Sequence, residues 1–261
     1  MKLYVGQTQF PRRLEHYAKR FNFAEVRAEP ARLPKLSELN RARKALPAEF
    51  RFAVMLPRAC AALELTPEVE KSLAFVEKVM ATLGAEWLVL QTQANVFPSD
   101  RTRRRLKEWQ ERLAQPGRKL GWEPLGVWEW EEGERWAKEL GFHFITDASR
   151  QPMAPAEVRY ARIRSLGEAA KLRPYALEVL AENLDACEEG VVALEGEDAS
   201  RVALALQEML GDERRAERAL LGDDEDDEFD DDGASEFEAG EEDEGEDESQ
   251  EGEADAEDEG D

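Results

Sequence analysis

Two short runs carry the side chains best placed for chemistry. In FAEVR (Phe23–Arg27), Glu25 and Arg27 fall in phase with Phe23, while Ala24 and Val26 take the other phase. In YARIR, residues 160–164, Tyr160, Arg162 and Arg164 alternate with Ala161 and Ile163. Alternation with a period of two marks a strand whose two faces meet different surroundings. If the apolar phase packs under helices, the charged phase of both runs points the other way, and Glu25 and Arg162 face a common interior. Two readings of that pair stay open. One is an ion pair that any buried charge requires, and the other is part of a ligand-binding site.

Further polar residues stand where apolar runs end: Gln7, Arg58, Gln91, Glu123, Asp147 and Glu195. Glu123 and Asp147 have the residue type for a general acid and base acting on a polar substrate, the catalytic candidates of the chain. Carboxylates in such places also commonly cap the loop that follows. Arg101, Arg103, Arg104 and Arg105 crowd the start of a helix opened by Ser99 and Asp100. A helix dipole disfavours each cation there by ~0.3–1 kcal/mol, so this rim is expected to hold an anion. The anion could be a ligand or the chain's own acidic C-terminal segment, whose forty residues span ~35 Å as a flexible coil.

Several chemistries find no support. His16 and His143 are scattered and make no zinc-binding spacing, so no metal is expected. No dinucleotide fingerprint, phosphate-binding P-loop or nucleophile elbow occurs, and no cofactor is expected. Cys60 and Cys187 lie far apart and suggest neither a disulfide framework nor a redox pair. The six tryptophans suit core and rim packing, with Trp128 and Trp130 also open to a role as sugar platforms.

The elements that would position these residues follow from periodicity. Strands are predicted over residues 3–5, 23–27, 50–56, 87–90, 119–123, 142–146, 158–163 and 191–194. Helices are predicted over 12–21, 36–46, 67–83 (N-capped by Thr66 and closed by Gly84), after Ser99, before Gly141, and over 174–187 and 199–210. Residues 148–157 hold two prolines and no helical pattern, so the crossover between strands six and seven is expected to be a loop. Eight strands alternating with helices predict an α/β fold, a (β/α)8 TIM-like barrel, with an open doubly wound sheet as the alternative. In such a barrel the site lies at the C-terminal ends of the strands.

Several runs resemble the domain of unknown function 72 family, whose known fold is a TIM barrel. AEVR, ARLP and FRFAVMLPR are similar to that family's VEIN, YRLP and FRFALKAPR, and LGWEPLGVW resembles its WEPRG.W variant. The resemblance covers nearly all of residues 3–210. It implies ligand-binding positions at Glu25, Arg32, Arg58, Gln91, Glu123, Trp128, Asp147 and Arg162. The chain also departs from the pattern. Arg27 stands for the asparagine of VEIN, Met55 for the lysine of LKAPR and Leu125 for the arginine of WEPRG, while the family's histidines after strand three and in RLHG are missing. These are the marks of a divergent member, in which an activity could have been lost. The family has no established reaction, so the resemblance implies a fold and a pocket.

Charge divides the chain. Of its 59 acidic residues, 25 lie in residues 222–261, which contain no Lys or Arg. The other 34 acidic residues and all 35 basic ones precede them, so the first 221 residues are near neutral and the formal −24 belongs to the tail. Apart from Phe229 and Phe237, the tail holds no side chain able to bury much apolar area. It is expected to be disordered, giving a barrel over residues 1–211 and an acidic tail over 212–261. A basic protein or divalent cations are possible partners for the tail, and a solubilising extension is the alternative. No apolar run approaches the ~18 residues of a membrane helix and no signal peptide opens the chain, so a cytoplasmic protein without membrane contact is expected. Three functions fit: a barrel binding a polar or anionic small molecule, a non-catalytic interaction or regulatory protein using its tail, and a nucleic-acid-binding barrel using the arginine rim.

Overall fold

A computed structural model describes residues 1–11, 13–164, 174–196 and 199–221. The strands are β1 (Lys2–Gln7), β2 (Phe23–Arg27), β3 (Arg51–Met55), β4 (Trp87–Thr92), β5 (Lys119–Pro124), β6 (His143–Thr146), β7 (Ala156–Ile163) and β8 (Cys187–Leu194). The helices are α1 (Leu14–Ala18), α2 (Leu36–Ala45), α3 (Pro67–Leu83), α4 (Asp100–Leu113), α5 (Trp130–Leu140), α6 (Pro174–Asp185) and α7 (Ala199–Leu221). Among the described residues, eight parallel strands pair in sequence order, and β8 pairs with β1 to close the barrel. Closure removes both sheet edges, and the open-sheet alternative is set aside.

Two apolar layers hold the barrel. Val26, Val54, Leu88, Leu90 and Val192 point outward and meet helix residues such as Leu39, Val76, Val79, Leu106 and Trp109. Phe23, Ala53, Trp87, Val89, Ile145, Tyr160 and Val191 fill the interior. This is the alternation that strands buried on both faces require. The helix ends follow local chemistry: Thr66 Oγ1 accepts from the Val69 N–H at 3.3 Å, and Ser99 Oγ accepts from the Thr102 N–H at 3.2 Å. Gly141, at φ 77°, closes α5 in the left-handed region that other residues avoid.

The link between β6 and β7 contains no helix, as the prolines predict. A polar clamp takes its place. Asn183 of α6, buried, donates from Nδ2 to the carbonyls of Ala148 at 2.8 Å and Gln151 at 2.9 Å, and its Oδ1 accepts from the Met153 N–H at 2.7 Å. Arg159 on the outward face of β7 donates to the Ala154 carbonyl at 2.5 Å. Loop backbone groups that have no helix of their own to pair with are satisfied in this way.

Several boundaries differ from the sequence reading. Strand β8 begins at Cys187 rather than 191, and α6 ends at Asp185. Glu188, Glu189 and Gly190 do not read as a strand, but Glu189 is satisfied by Lys119 Nζ at 2.7 Å across the barrel. Helix α1 is confined to Leu14–Ala18, and α7 runs through Gly211 to Leu221, so the expected domain boundary at 211 is not a helix end. A glycine inside a helix costs only ~1 kcal/mol, and the helix-forming run that follows offsets it. Residues 222–261, and with them the expectation of disorder there, lie outside the described residues. Among the described residues no helix is long and apolar enough to cross a membrane.

Candidate functional site

The barrel interior changes character along its axis. Lys119 and Glu189 pair near the N-terminal end of the strands, an apolar layer follows, and a charged layer fills the C-terminal end. At the centre of the charged layer is Arg162 of β7, only 1% exposed. Its Nη2 lies 2.5 Å from Glu25 Oε2, and its Nη1 lies 3.3 Å from Glu195 Oε1. Its Nε is 2.9 Å from Glu123 Oε2 but is not aligned for a hydrogen bond, so that contact is Coulombic. Burial alone would lower the pKa of this guanidinium. Glu25 and Glu123, together with Tyr160, outweigh burial and hold it well above the ordinary arginine value.

The network extends on both sides. The Tyr160 hydroxyl donates to Glu25 Oε2 at 2.5 Å, and burial, reinforced by the Glu25 charge, pushes the phenol's pKa well up. Tyr160 therefore stays a neutral donor. Arg164, just past β7, pairs with Glu123 and lies 3.6 Å from Glu195. Gln91 of β4 donates from Nε2 to Glu123 Oε2 at 2.7 Å, while its Oε1 accepts from Arg27 Nη2 at 2.8 Å. Arg27 Nη1 donates to the Leu56 carbonyl at 3.2 Å. Burial lowers the Arg27 pKa, against the opposing influence of Glu25 and Glu29. Arg162 and Arg164 thus face the carboxylates of Glu25, Glu123 and Glu195, whereas the half-buried Arg27 bonds only to neutral acceptors among the described residues.

The fold gathers Glu25, Gln91, Glu123 and Arg162 as the sequence predicts, and joins them to Arg27, Arg164 and Glu195, which stand at strand ends on the same phase. Tyr160 was legible in that phase too, although nothing in the sequence marked it as the partner of Glu25. The other candidates sit elsewhere. Asp147 accepts from Ser149 Oγ at 2.6 Å, from the Ser149 N–H at 3.2 Å and from Arg150 Nε at 3.0 Å, so it caps its own loop and does not form the expected acid–base pair with Glu123. Arg32 is exposed and pairs with Glu29 at 3.1 Å. Arg58 is exposed, and its backbone N–H, not its side chain, is bound by Glu29 Oε1 at 3.2 Å. Trp128 donates to the Val96 carbonyl at 3.0 Å and packs edge-on against Trp122 and Trp136, which is a packing role.

The arginine rim is also partly spent. Arg103 pairs with Glu139 and lies over the Trp136 ring, and Arg105 reaches Glu64 at 3.3 Å and the Ala62 carbonyl at 3.4 Å. Neighbouring carboxylates therefore supply part of the negative charge expected there, leaving Arg101 and Arg104 without a partner among the described residues. No group of three or more His, Cys, Asp or Glu among the described residues is arranged to hold a metal ion.

One rearrangement sets this site apart from the family pattern. The resemblance implies Asn at position 27 and Lys at 55, whereas the chain has Arg27 and Met55. These two positions are register partners across β2 and β3. A positive charge therefore stays at this point of the rim but is supplied by the adjacent strand.

Solved structures share the fold. A DUF72 family protein from Enterococcus faecalis V583 aligns with a TM-score of 0.64 at 16% identity, covering 80% of this chain and 98% of that one. A DUF72 family protein from Thermotoga maritima MSB8 aligns with a TM-score of 0.63 at 17% identity, covering 81% and 100%. A D-tagatose 3-epimerase-like protein aligns with a TM-score of 0.54 at 15% identity, covering 85% and 100%. At such identities the likeness concerns the fold. A comparison with curated proteins gives no match. The model of the family described as "Protein of unknown function DUF72" matches residues 1–223, which takes in the whole barrel, and the chain belongs to that family.

Proposed function

We propose that the C-terminal mouth of the barrel binds a polar small molecule bearing an anionic group, with Arg27 as its receptor. The observation that carries this reading is the unequal pairing of the three arginines. Arg162 and Arg164 are held by carboxylates, and among the described residues Arg27 donates hydrogen bonds only to Gln91 and a backbone carbonyl. A guanidinium has five N–H donors, so two neutral contacts leave donors for a carboxylate or phosphate oxygen. Gln91 ties Arg27 to Glu123, and through it a ligand would sense the buried network. An apolar layer could fill the same space at least as stably, since buried ion networks rarely add net stability. Charge at the strand ends is where a barrel places binding groups. The fold neighbours include a protein described as D-tagatose 3-epimerase-like, which makes sugar acids and polyols natural first probes. Cys60 and Cys187, both free and buried, suit a reducing compartment such as the cytoplasm.

The test is calorimetric titration and thermal shift of the full chain against aldonates, uronates and neutral polyols. A sugar acid is expected to raise the melting temperature, and Arg27→Met is expected to abolish that shift while leaving the unliganded protein folded. No hit in the panel at millimolar concentration, or hits indifferent to Arg27→Met, would overturn the proposal.

A further inference from the structure

A second, separate cleft of ≈ 790 Å³ opens beside the end of β1, between α1 and the start of α7. Arg13, His16, Lys19 and Arg20 line it. Their spacing of three or four residues sets them along one side of α1 and its flanks. All four are exposed. Gln7, Gln9 and Ser200 add neutral hydrogen-bonding groups to the same wall. Among the described residues no acidic side chain lines the cleft, and Glu15 of α1 is not part of its wall.

Many arginines elsewhere on the described surface are paired, although Arg101 and Arg104 are not. Arg32, Arg103, Arg112, Arg118 and Arg150 are exposed or reach the surface, and each has a carboxylate within ion-pair distance. Arg13, Lys19 and Arg20 have none among the described residues. Three full positive charges around one cleft repel one another, and a bound anion removes that cost. A smaller cleft of ≈ 340 Å³ shares Gln7 and Gln9 with it and continues to Leu194 and Gly196, either side of Glu195 in the mouth.

We propose that this cleft binds a phosphate-bearing small molecule of at least two negative charges. Arg13 and Arg20 each carry a planar fork that takes a carboxylate or a phosphate, but three cations on separate residues call for an anion of more than one charge. A tetrahedral phosphate directs oxygens to several separate donors at once and matches the excess of positive charge. The site stands independently of the mouth, because none of its cations belongs to the Arg162 network.

Inorganic pyrophosphate is the probe, titrated calorimetrically into the full chain at low salt. Binding is expected, and Arg13→Gln combined with Arg20→Gln should weaken it at least about tenfold, since two charged hydrogen-bond donors are lost. Lys71→Gln combined with Lys78→Gln makes the same charge change on α3, away from the cleft, and should leave affinity unchanged. Arg27→Met should also leave it unchanged. The proposal fails if pyrophosphate does not bind, if the two charge-matched pairs weaken it equally, as diffuse attraction would, or if Arg27→Met abolishes it and so places the probe in the mouth. Circular dichroism of each variant separates lost binding from lost folding.

Discussion

Replacing Arg162 by Met removes the counter-charge of a buried cluster while nearly preserving side-chain length. Glu25 and Glu123, each 2% exposed, lose contacts of 2.5 and 2.9 Å, and Glu195 loses one of 3.3 Å. Glu123 keeps Arg164 and Gln91, but Glu25 keeps only the Tyr160 hydroxyl. Removing one partner of a buried pair costs roughly 3–5 kcal/mol, because the other charge is left without compensation. For a domain of this size that is a fall in melting temperature of roughly 6–20 °C, at ~2–4 °C per kcal/mol. Glu25→Gln is milder. Its amide oxygen still accepts from Tyr160, and Arg162 keeps Glu123 and Glu195, so exchanging a charged for a neutral hydrogen bond costs ~1–1.5 kcal/mol. In the double variant the orphaned carboxylate is gone, so the two costs should fall short of their sum by ~1–3 kcal/mol. Urea unfolding of the full chain, followed by tryptophan fluorescence and circular dichroism, measures all four corners of the cycle. Single costs below ~1 kcal/mol that add within ~0.5 kcal/mol would refute a desolvated pair and describe a solvated one.

Other outcomes follow from the same structure. Burial, helped by the Lys119 charge, lowers the His143 pKa, so the unfolded chain takes up a proton below its ordinary value of ~6.5 that the folded chain resists. Stability should therefore fall as pH drops below ~6.5, and His143→Gln should flatten that limb by up to ~1.36 kcal/mol per pH unit in a urea series; an unchanged slope would show that His143 is solvated. Asn183→Ala leaves the loop carbonyls of Ala148 and Gln151 and the Met153 N–H unpaired, at a cost of ~1–3 kcal/mol. Hydrogen exchange should rise at Met153 while Tyr160 in β7 stays protected, and equal exchange at Met153 in both proteins would remove the clamp's role. Deleting residues 222–261 is expected to leave the melting temperature within a few degrees of the full chain, since apart from two phenylalanines that segment offers nothing larger than alanine to bury; a larger fall in a calorimetric scan would contradict this.

What was legible in the sequence was phase. Glu25 and Arg162 lie on strands distant in the chain, yet the apolar character of Ala24, Val26, Ala161 and Ile163 forces both inward, where they meet each other together with Tyr160, Glu123 and Glu195. Phase also carried Gln91 and Arg27 to the same rim. It could not distinguish a strand-end carboxylate facing the interior from one turned into its loop. That choice at Asp147 depends on Ser149 and Arg150, whose loop geometry leaves no periodic trace. The partial occupation of the arginine rim was hidden for a related reason. Glu64 and Glu139, which occupy Arg105 and Arg103, are about forty residues away in sequence and reach them only because helices pack side by side. Asn183 was invisible because a helix with one polar residue on its inner face looks like a helix with a defect until the loop it holds is in place. The buried and half-buried polar residues of this fold are thus of two kinds. Asn183, Arg159 and Asp147 satisfy backbone or loop groups that the missing crossover helix leaves open, and their partners are fixed locally. Glu25, Arg27, Gln91, Glu123 and Arg162 satisfy one another across the axis, and apart from the Arg27 bond to the Leu56 carbonyl their partners are side chains. That difference is the reason to look for a ligand at the mouth rather than at the loop.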